Sequence, residues 1–184
     1  MKKQLIIGMG SGRCGTVSLY RLLNLQKNSF FTHESKPLLT WKFDKKSIDK
    51  KLKKILAKPK KYVGDVNSCY LPYVDYICKN YSSAKIVVLK RPKEEVVESF
   101  MRKKEIFGHQ WISKKGKEGK WEKMFPKSTA STKEEAIKEY WEDYYIEVSK
   151  LMRKYPKNVK LFETQALNSK RSVKAILGFC SYMV

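Results

Sequence analysis

The stretch GMGSGRCGTVS, from Gly8 to Ser18, follows the short apolar run QLII and precedes residues with helical spacing. This order predicts a strand, a glycine-rich loop and a helix. The unpaired amides at a helix N-terminus and the helix dipole attract anions. The sequence therefore predicts an anion site at this loop, with a phosphate as the expected ligand.

Apolar runs and helical patterns alternate along the rest of the chain, which favours an α/β fold. We predict a single domain over 1–184, with a mainly parallel central sheet flanked by helices. The expected strands are 4–8, 29–32, 62–65, 84–90 and 158–162; the expected helices begin at 16 and span 46–56, 71–79, 93–103, 133–154 and 172–179. Residues 104–132 keep no sustained period and are predicted to form a long mobile loop.

The formal charge is +22, and only six of the forty basic residues are arginines. Such a surface attracts polyanions but does not identify which one. No apolar run approaches the about 18 residues of a membrane span, so we expect a cytoplasmic protein with no membrane-spanning segment. The four cysteines are widely spaced and have no histidine cluster nearby, so no metal site is expected.

The glycine loop fits two common motifs in part. Gly10, Gly12 and Gly15 satisfy GxGxxG, and Glu34 stands where a dinucleotide site has its ribose-binding acid. The same loop is also similar to a P-loop whose usual lysine is missing. Arg13 lies inside the loop, where a highly anionic group would need a cation. The sequence thus favours a ligand with more charge than a pyrophosphate diester.

A second motif, VLKRPKEEVVESF over Val88–Phe100, follows the clearest predicted strand. Arg91 lies at the strand end and Ser99 lies two helical turns further on, so both can reach one phosphate from the same side. Alternatively, Arg91 pairs with Glu94 or Glu95 and Ser99 faces solvent.

Together the two motifs resemble those of the sulfotransferases that use 3′-phosphoadenosine-5′-phosphosulfate (PAPS). In that family a strand is followed by a basic residue, then Ser-Gly-Thr-Thr or a near variant, and then a helix; Cys14 and Val17 depart from this pattern. The family also carries a 3′-phosphate signature like the Arg91 motif. The resemblance implies a P-loop-like nucleotide-binding fold and PAPS contacts from Gly12, Arg13, Cys14, Gly15, Thr16, Val17, Arg91 and Ser99.

The resemblance also implies catalytic roles. Sulfuryl transfer needs a base for the acceptor proton and a cation for the leaving phosphate. Arg13 is the expected cation, and the adjacent His33 and Glu34, directly after the second strand, are the candidate bases. Members of the family use either residue type, and by position we favour Glu34. Asp65 and Ser68, after the third strand, either orient the acceptor or shape a turn.

Two other interpretations stay open. One is a nucleotide-dependent enzyme of another kind, either P-loop-kinase-like or dinucleotide-dependent, although a convincing magnesium ligand other than Asp65 is missing. The other is a basic nucleic-acid-binding protein, which leaves the pairing of the two motifs unexplained. For the sulfotransferase we expect a hydroxyl or amine acceptor, such as an anionic saccharide or other polymer, and no obligatory nucleic acid. The sequence does not indicate the oligomeric state.

Overall fold

The structure is a computed structural model that describes residues 3–102, 111–112 and 123–183. Five parallel strands form one sheet in the order β2-β3-β1-β4-β5. The strands are β1 (Gln4–Gly10), β2 (Ser29–His33), β3 (Tyr62–Val66), β4 (Lys85–Lys90) and β5 (Val159–Glu163). The helices are α1 (Thr16–Asn24), α2 (Lys45–Leu56), α3 (Val74–Asn80), α4 (Lys93–Met101), α5 (Lys133–Lys154) and α6 (Lys170–Phe179). The predicted α/β fold with a parallel sheet is confirmed.

The two faces of the sheet carry separate cores. Along β1, alternate side chains point to opposite faces, so Leu5 and Ile7 join one cluster while Ile6 joins the other. The first cluster packs under α2, α3 and α5, and the second under α1 and α6. Right-handed crossovers explain this division, because the connections β2–β3, β3–β4 and β4–β5 run one way across the sheet and β1–β2 runs the other.

Two connections leave the carboxyl edge of the sheet in opposite directions. The chain after β1 turns towards the β2 edge, and the chain after β4 turns towards the β5 edge, although β1 and β4 are neighbours. Such a switch point opens a crevice outside the strand ends, where parallel α/β sheets bind ligands. Both sequence motifs lie at this point, because one follows β1 and the other follows β4.

Two helices differ in their bounds from the sequence prediction. The helix expected over 71–79 begins earlier as a 3₁₀ helix, Ser68–Tyr73, and becomes α-helical only from Val74. Asn67 caps this start, since its side-chain oxygen accepts a hydrogen bond of 2.9 Å from the backbone N–H of Cys69. Pro72 provides no N–H for a regular ladder. The α4 helix runs to Met101, short of the predicted end at Lys103, which lies outside the described residues.

The predicted long loop falls mostly on residues that are not described. Its described parts pack on the first core, where Trp111 and Met124 are buried. The backbone N–H of Trp41 donates to Lys123 O at 2.7 Å, and Ser128 N donates to Trp111 O at 3.0 Å. The mobility predicted for the rest of 104–132 stays a prediction. None of the helices in the described ranges combines the length and hydropathy that a bilayer crossing requires.

Gly64 allows the close pairing of β3 with β1. A Cβ atom at this position would stand 1.7 Å from the carbonyl oxygen of Ile6 and 2.7 Å from the Phe31 ring. A backbone oxygen in a central strand cannot move aside without disturbing the ladder.

We therefore expect Gly64→Ala to lower the free energy of unfolding by about 3 kcal/mol or more in urea denaturation. Gly178→Ala, the same change at an exposed position of α6, is the control and should be neutral or slightly stabilising. Equal stabilities for the two variants would contradict the close approach at Gly64.

Candidate functional site

The loop after β1 has the backbone of an anion cradle. Three of its residues adopt positive φ: Gly12 (84°), Arg13 (55°) and Gly15 (88°). Gly15 is the N-cap of α1 and, like the rest of this helix start, provides no side-chain cap. Consecutive amides in such alternating conformations form a nest for anions. The left-handed conformation costs Arg13 about 1 to 2 kcal/mol, as is common at functional sites.

Gly10 and Cys14 fold this loop tightly over the sheet. A Cβ atom at Gly10 would stand 2.5 Å from Leu89 O and 2.3 Å from Cys14 Sγ, so only glycine fits there. Cys14 is fully buried, and burial raises the pKa of its thiol to about 12. Its side chain therefore packs in the second core as a neutral group, and only its backbone is available to a ligand.

The two sequence motifs meet at the switch point. Arg13 Nε donates to Ser99 Oγ at 2.9 Å, and Arg91 Nη1 donates to the carbonyl oxygen of Arg13 at 3.1 Å. Arg91 Nε also donates to Glu95 Oε2 at 2.7 Å, so the pairing considered for Arg91 is present as well. A guanidinium has five N–H donors. These two contacts thus leave most of the donor capacity of Arg91 open to a phosphate.

Three further residues, which the motifs did not reveal, anchor the loops. Thr164, just after β5, has its hydroxyl 2.8 Å from Cys14 O and 3.1 Å from Lys90 O. Tyr145 OH donates to Leu89 O at 2.8 Å, and Trp141 Nε1 donates to Arg91 O at 3.1 Å. Tyr145 OH also lies 3.3 Å from Ser11 Oγ in the glycine loop, so α5 contacts both site loops. The sequence shows only the helical spacing of Trp141 and Tyr145 on α5, and this spacing does not indicate their polar contacts.

The candidate bases lie at the end of β2, where His33 is the last residue of the strand and Glu34 the next, and they are on different sides of the strand end. His33 Nε2 lies 3.3 Å from Thr16 Oγ1, at the first residue of α1. Glu34 adopts a left-handed backbone (φ 51°), and its N–H donates to Val66 O at 3.1 Å. Burial, with a smaller contribution from the nearby Glu34 charge, raises the pKa of Cys69 to about 12. His33 therefore adjoins the glycine loop, while Glu34 lies towards the 3₁₀ helix.

Not every predicted residue offers its side chain to this site. Thr16 does, through the contact with His33. Val17, which stands where the resembling sulfotransferases have a second threonine, is 46% exposed and contributes an apolar side chain in the first turn of α1. Any polar contact from Val17 would come from its backbone amide.

Comparison with solved structures identifies the fold. A sulfotransferase from Alicyclobacillus acidocaldarius matches with a TM-score of 0.58 and 16% identity, over 100% of this chain and 82% of that one. Mouse sulfotransferase SULT7A1, complexed with PAP, matches with a TM-score of 0.56 and 16% identity, over 100% of this chain and 59% of the mouse chain. The chain has a sulfotransferase-like fold.

The same architecture extends to a kinase. Polyphosphate kinase 2 from Arthrobacter aurescens TC1 matches with a TM-score of 0.51 and 13% identity, over 98% of this chain and 68% of that chain. No family model and no curated protein matches the sequence. At these identities the likeness concerns the fold, so the chemistry must be argued from the residues.

A buried ion pair fixes the segment that follows the candidate bases in this sulfotransferase-like fold. Lys51 Nζ of α2 lies 3.0 Å from Asp65 Oδ2 of β3, with side-chain exposures of 1% and 0%. Lys51 also donates to the carbonyl oxygens of Ser35 and Pro37. The pair therefore ties α2 and β3 to the chain just after Glu34.

The Asp65 carboxylate is fully used by its neighbours. Besides Lys51, it accepts hydrogen bonds from Thr32 Oγ1, from Ser35 Oγ at 3.3 Å and from Tyr70 OH at 3.1 Å. Asp65 is thus not placed to orient an acceptor, and its charge is already balanced by an ammonium group rather than open to magnesium. The acceptor role considered for Asp65 is wrong for this reason.

Lys51 is a buried lysine on α2. It follows Ile48 by three residues and precedes Ile55 by four, so it belongs to the buried face of the helix. This spacing is visible in sequence, but it does not reveal the partner. Asp65 lies 14 positions away, on a strand whose neighbours are set only by the fold.

We expect Lys51→Met to lower the free energy of unfolding by about 3 to 5 kcal/mol, because it leaves a carboxylate buried without its counter-charge. Adding Asp65→Asn should restore about 1 to 2 kcal/mol. Urea denaturation measures both changes. Lys50→Met, on the exposed face of α2, is the control and should stay within about 0.5 kcal/mol of the wild type. A loss no larger than that of the control would show that the pair is not a buried constraint.

Proposed function

We propose that this protein is a PAPS-dependent sulfotransferase that transfers a sulfuryl group to a hydroxyl or amine acceptor. The observation that carries the proposal is the junction of Arg13, Ser99 and Arg91 beside the glycine loop. Two guanidinium groups, a hydroxyl and a nest of amides meet there at a switch point. This set fits a ligand with phosphates at two separate positions.

The junction divides naturally between the two ends of such a nucleotide. The loop amides and the start of α1 suit the 5′-phosphate, where Gly12, Gly15 and Thr16 lie and where Cys14 and Val17 contribute their backbones. Arg91 and Ser99 suit the 3′-phosphate, which PAPS has and ATP lacks. Arg13 donates a hydrogen bond to Ser99, and Glu95 pairs with one edge of Arg91. Binding of the nucleotide would exchange these contacts for charge-assisted ones.

PAPS supplies a sulfuryl group and a phosphate leaving group. As the acceptor oxygen bonds to sulfur, the bond between sulfur and the phosphate oxygen breaks, and the acceptor proton passes to a base. Arg13 and the loop amides stabilise the negative charge left on the phosphate, since such donors act most strongly where charge develops. The tie from Thr164 to Cys14 and Lys90 keeps these donors in place.

His33 is the base that the geometry favours, although the sequence position favours Glu34. Its imidazole lies 3.3 Å from Thr16 Oγ1, next to the loop that would hold the leaving phosphate. Glu34 lies on the other side of the strand end, near Cys69. In this arrangement His33 takes the proton, and Glu34 contributes negative charge to the acceptor side.

The kinase-like alternative has less support from the residues. No lysine precedes Thr16 in the loop, and the Asp65 charge is balanced by Lys51. A metal-bound triphosphate would therefore lack both of its usual partners in a P-loop enzyme. The shared fold with a polyphosphate kinase makes a direct test with MgATP necessary.

Calorimetric titration distinguishes the possible nucleotide ligands. We expect adenosine 3′,5′-bisphosphate to bind at least about tenfold more tightly than 5′-AMP, NAD or MgATP, and this preference to be lost in Arg91→Ala. Arg102→Ala removes the same charge from the exposed end of α4, where Arg102 pairs with Glu98, and should change the affinity less than about twofold. No preference for the bisphosphate, or a preference for MgATP, would contradict the proposal.

Substitution of the candidate bases tests the chemical step. With PAPS and a panel of hydroxyl acceptors, His33→Asn should lower kcat about 100-fold or more while the bisphosphate affinity stays unchanged. Glu34→Gln should have a smaller effect. A nitrophenol ionises more readily than an alcohol and depends less on a base. In His33→Asn, kcat should therefore fall less with a nitrophenol acceptor than with an alcohol. A larger loss in Glu34→Gln, with His33→Asn nearly active, would instead make Glu34 the base.

A further inference from the structure

A basic depression lies beside the segment that follows the candidate bases. It is an open concavity with a volume of about 570 Å³. Its lining is Lys36, Pro37, Lys50, Lys53, Lys54 and Ala57. Four of these six residues are lysines and none is acidic. We call this surface the lysine depression.

The lysine depression has no internal counter-charge. Within the described residues, Lys36, Lys50 and Lys53 make no side-chain hydrogen bond or ion pair, and Lys54 donates to the carbonyl oxygen of Lys36 at 3.2 Å. The nearest acids along α2 are already engaged. Asp44 caps the helix through Lys46 N and Ser47 Oγ, and Asp49 pairs with Lys45. Four lysines therefore border one concavity that has no acidic residue in its lining, and a bound anion would offset the repulsion between their charges.

One wall of the lysine depression is held from inside the protein. The buried Lys51 binds the carbonyl oxygens of Ser35 and Pro37, on the segment that also provides Lys36. The depression is thus supported by the same buried ion pair that ties down the chain after Glu34. The backbone of this wall is thus held in place before a ligand binds, which reduces the entropy that binding costs.

We propose that the lysine depression binds an acidic polysaccharide. A membrane surface would meet a flat or convex basic face better than a concavity. A nucleic acid would use arginines and aromatic platforms for its bases, and the lining contains only lysines, a proline and an alanine. Lysine ammonium groups suit the carboxylates and sulfates that recur along a sugar chain without bases.

The position of the lysine depression makes this polysaccharide the acceptor, an assignment that rests on the proposed function. Lys36 is two residues beyond Glu34, at most about 7 Å along the chain. A sugar chain with its acidic groups on the lysines can therefore extend towards His33 and Glu34. There it would present a neutral hydroxyl to the donor.

Fluorescence anisotropy with a labelled, unsulfated chondroitin octasaccharide tests the binding surface. The variant Lys50→Gln/Lys53→Gln should weaken binding about fivefold. The control Lys157→Gln/Lys174→Gln removes the same charge next to β5, at the opposite sheet edge, and on α6, across the sheet. It should change binding less than twofold. Equal losses in both variants would overturn the proposal, because attraction would then follow net charge alone.

Parallel titrations separate the other polyanions. A 12-nucleotide RNA and vesicles containing phosphatidylserine should bind more weakly than the octasaccharide and respond equally to both variants. If RNA or vesicles instead show the selective loss in Lys50→Gln/Lys53→Gln, the polysaccharide assignment is overturned.

The role of the polysaccharide as acceptor is measured separately from the donor site. Lys50→Gln/Lys53→Gln should raise KM for the saccharide and leave both bisphosphate binding and kcat with nitrophenol unchanged. If the protein binds the saccharide selectively but does not bind the bisphosphate, the lysine depression is supported as a saccharide site and the sulfotransferase function is contradicted. If the protein binds the bisphosphate but shows no selective saccharide binding, the proposed function is supported and the saccharide site is contradicted.

Discussion

The pairing of β1 with β4 is the constraint on which the site depends. Gly10 faces Leu89 in this register, so the chain leaves both strands at the same level of the sheet. Because the two connections then diverge, the glycine loop and the Arg91 turn become the two walls of one crevice. A residue with a Cβ atom at Gly10 would press against Leu89 and Cys14 and separate these walls.

The polar groups of the crevice are hydrogen-bonded to one another. Arg13 binds Ser99, Arg91 binds the Arg13 carbonyl, and Glu95 neutralises part of the Arg91 charge. These contacts limit the cost of holding two arginines close together. They also mean that an anion must compete with partners already present, so its affinity reflects a difference between two sets of contacts.

The sequence predicted the helices and strands well because its patterns are local. The apolar run of β4, the glycines of the loop and the 22-residue stripe of α5 each identify an element without knowledge of its neighbours. The sheet order depends on crossovers that no short pattern records. The role of Thr164, a hydroxyl 150 positions from Cys14, could not be predicted because it exists only once β5 lies beside β4.

The buried pair shows a different limit. A lysine on an apolar helix face is visible as an exception to the pattern, and an aspartate in a fully buried strand is equally visible. Each of these residues needs a partner in the interior, and only the fold shows that they are partners of each other. The choice between His33 and Glu34 has the same origin, because it depends on the turn of one backbone residue at the end of β2.

The Lys51–Asp65 pair has a consequence for the evolution of this chain. Replacing either residue alone leaves a buried charge without a counter-charge. A lineage that changes one residue must therefore pass through a poorly folded intermediate or change both together. Homologous chains that keep the segment after β2 should therefore carry both residues or neither. Positions 51 and 65 should then change together in homologous chains, whereas no such constraint links the exposed lysines around them.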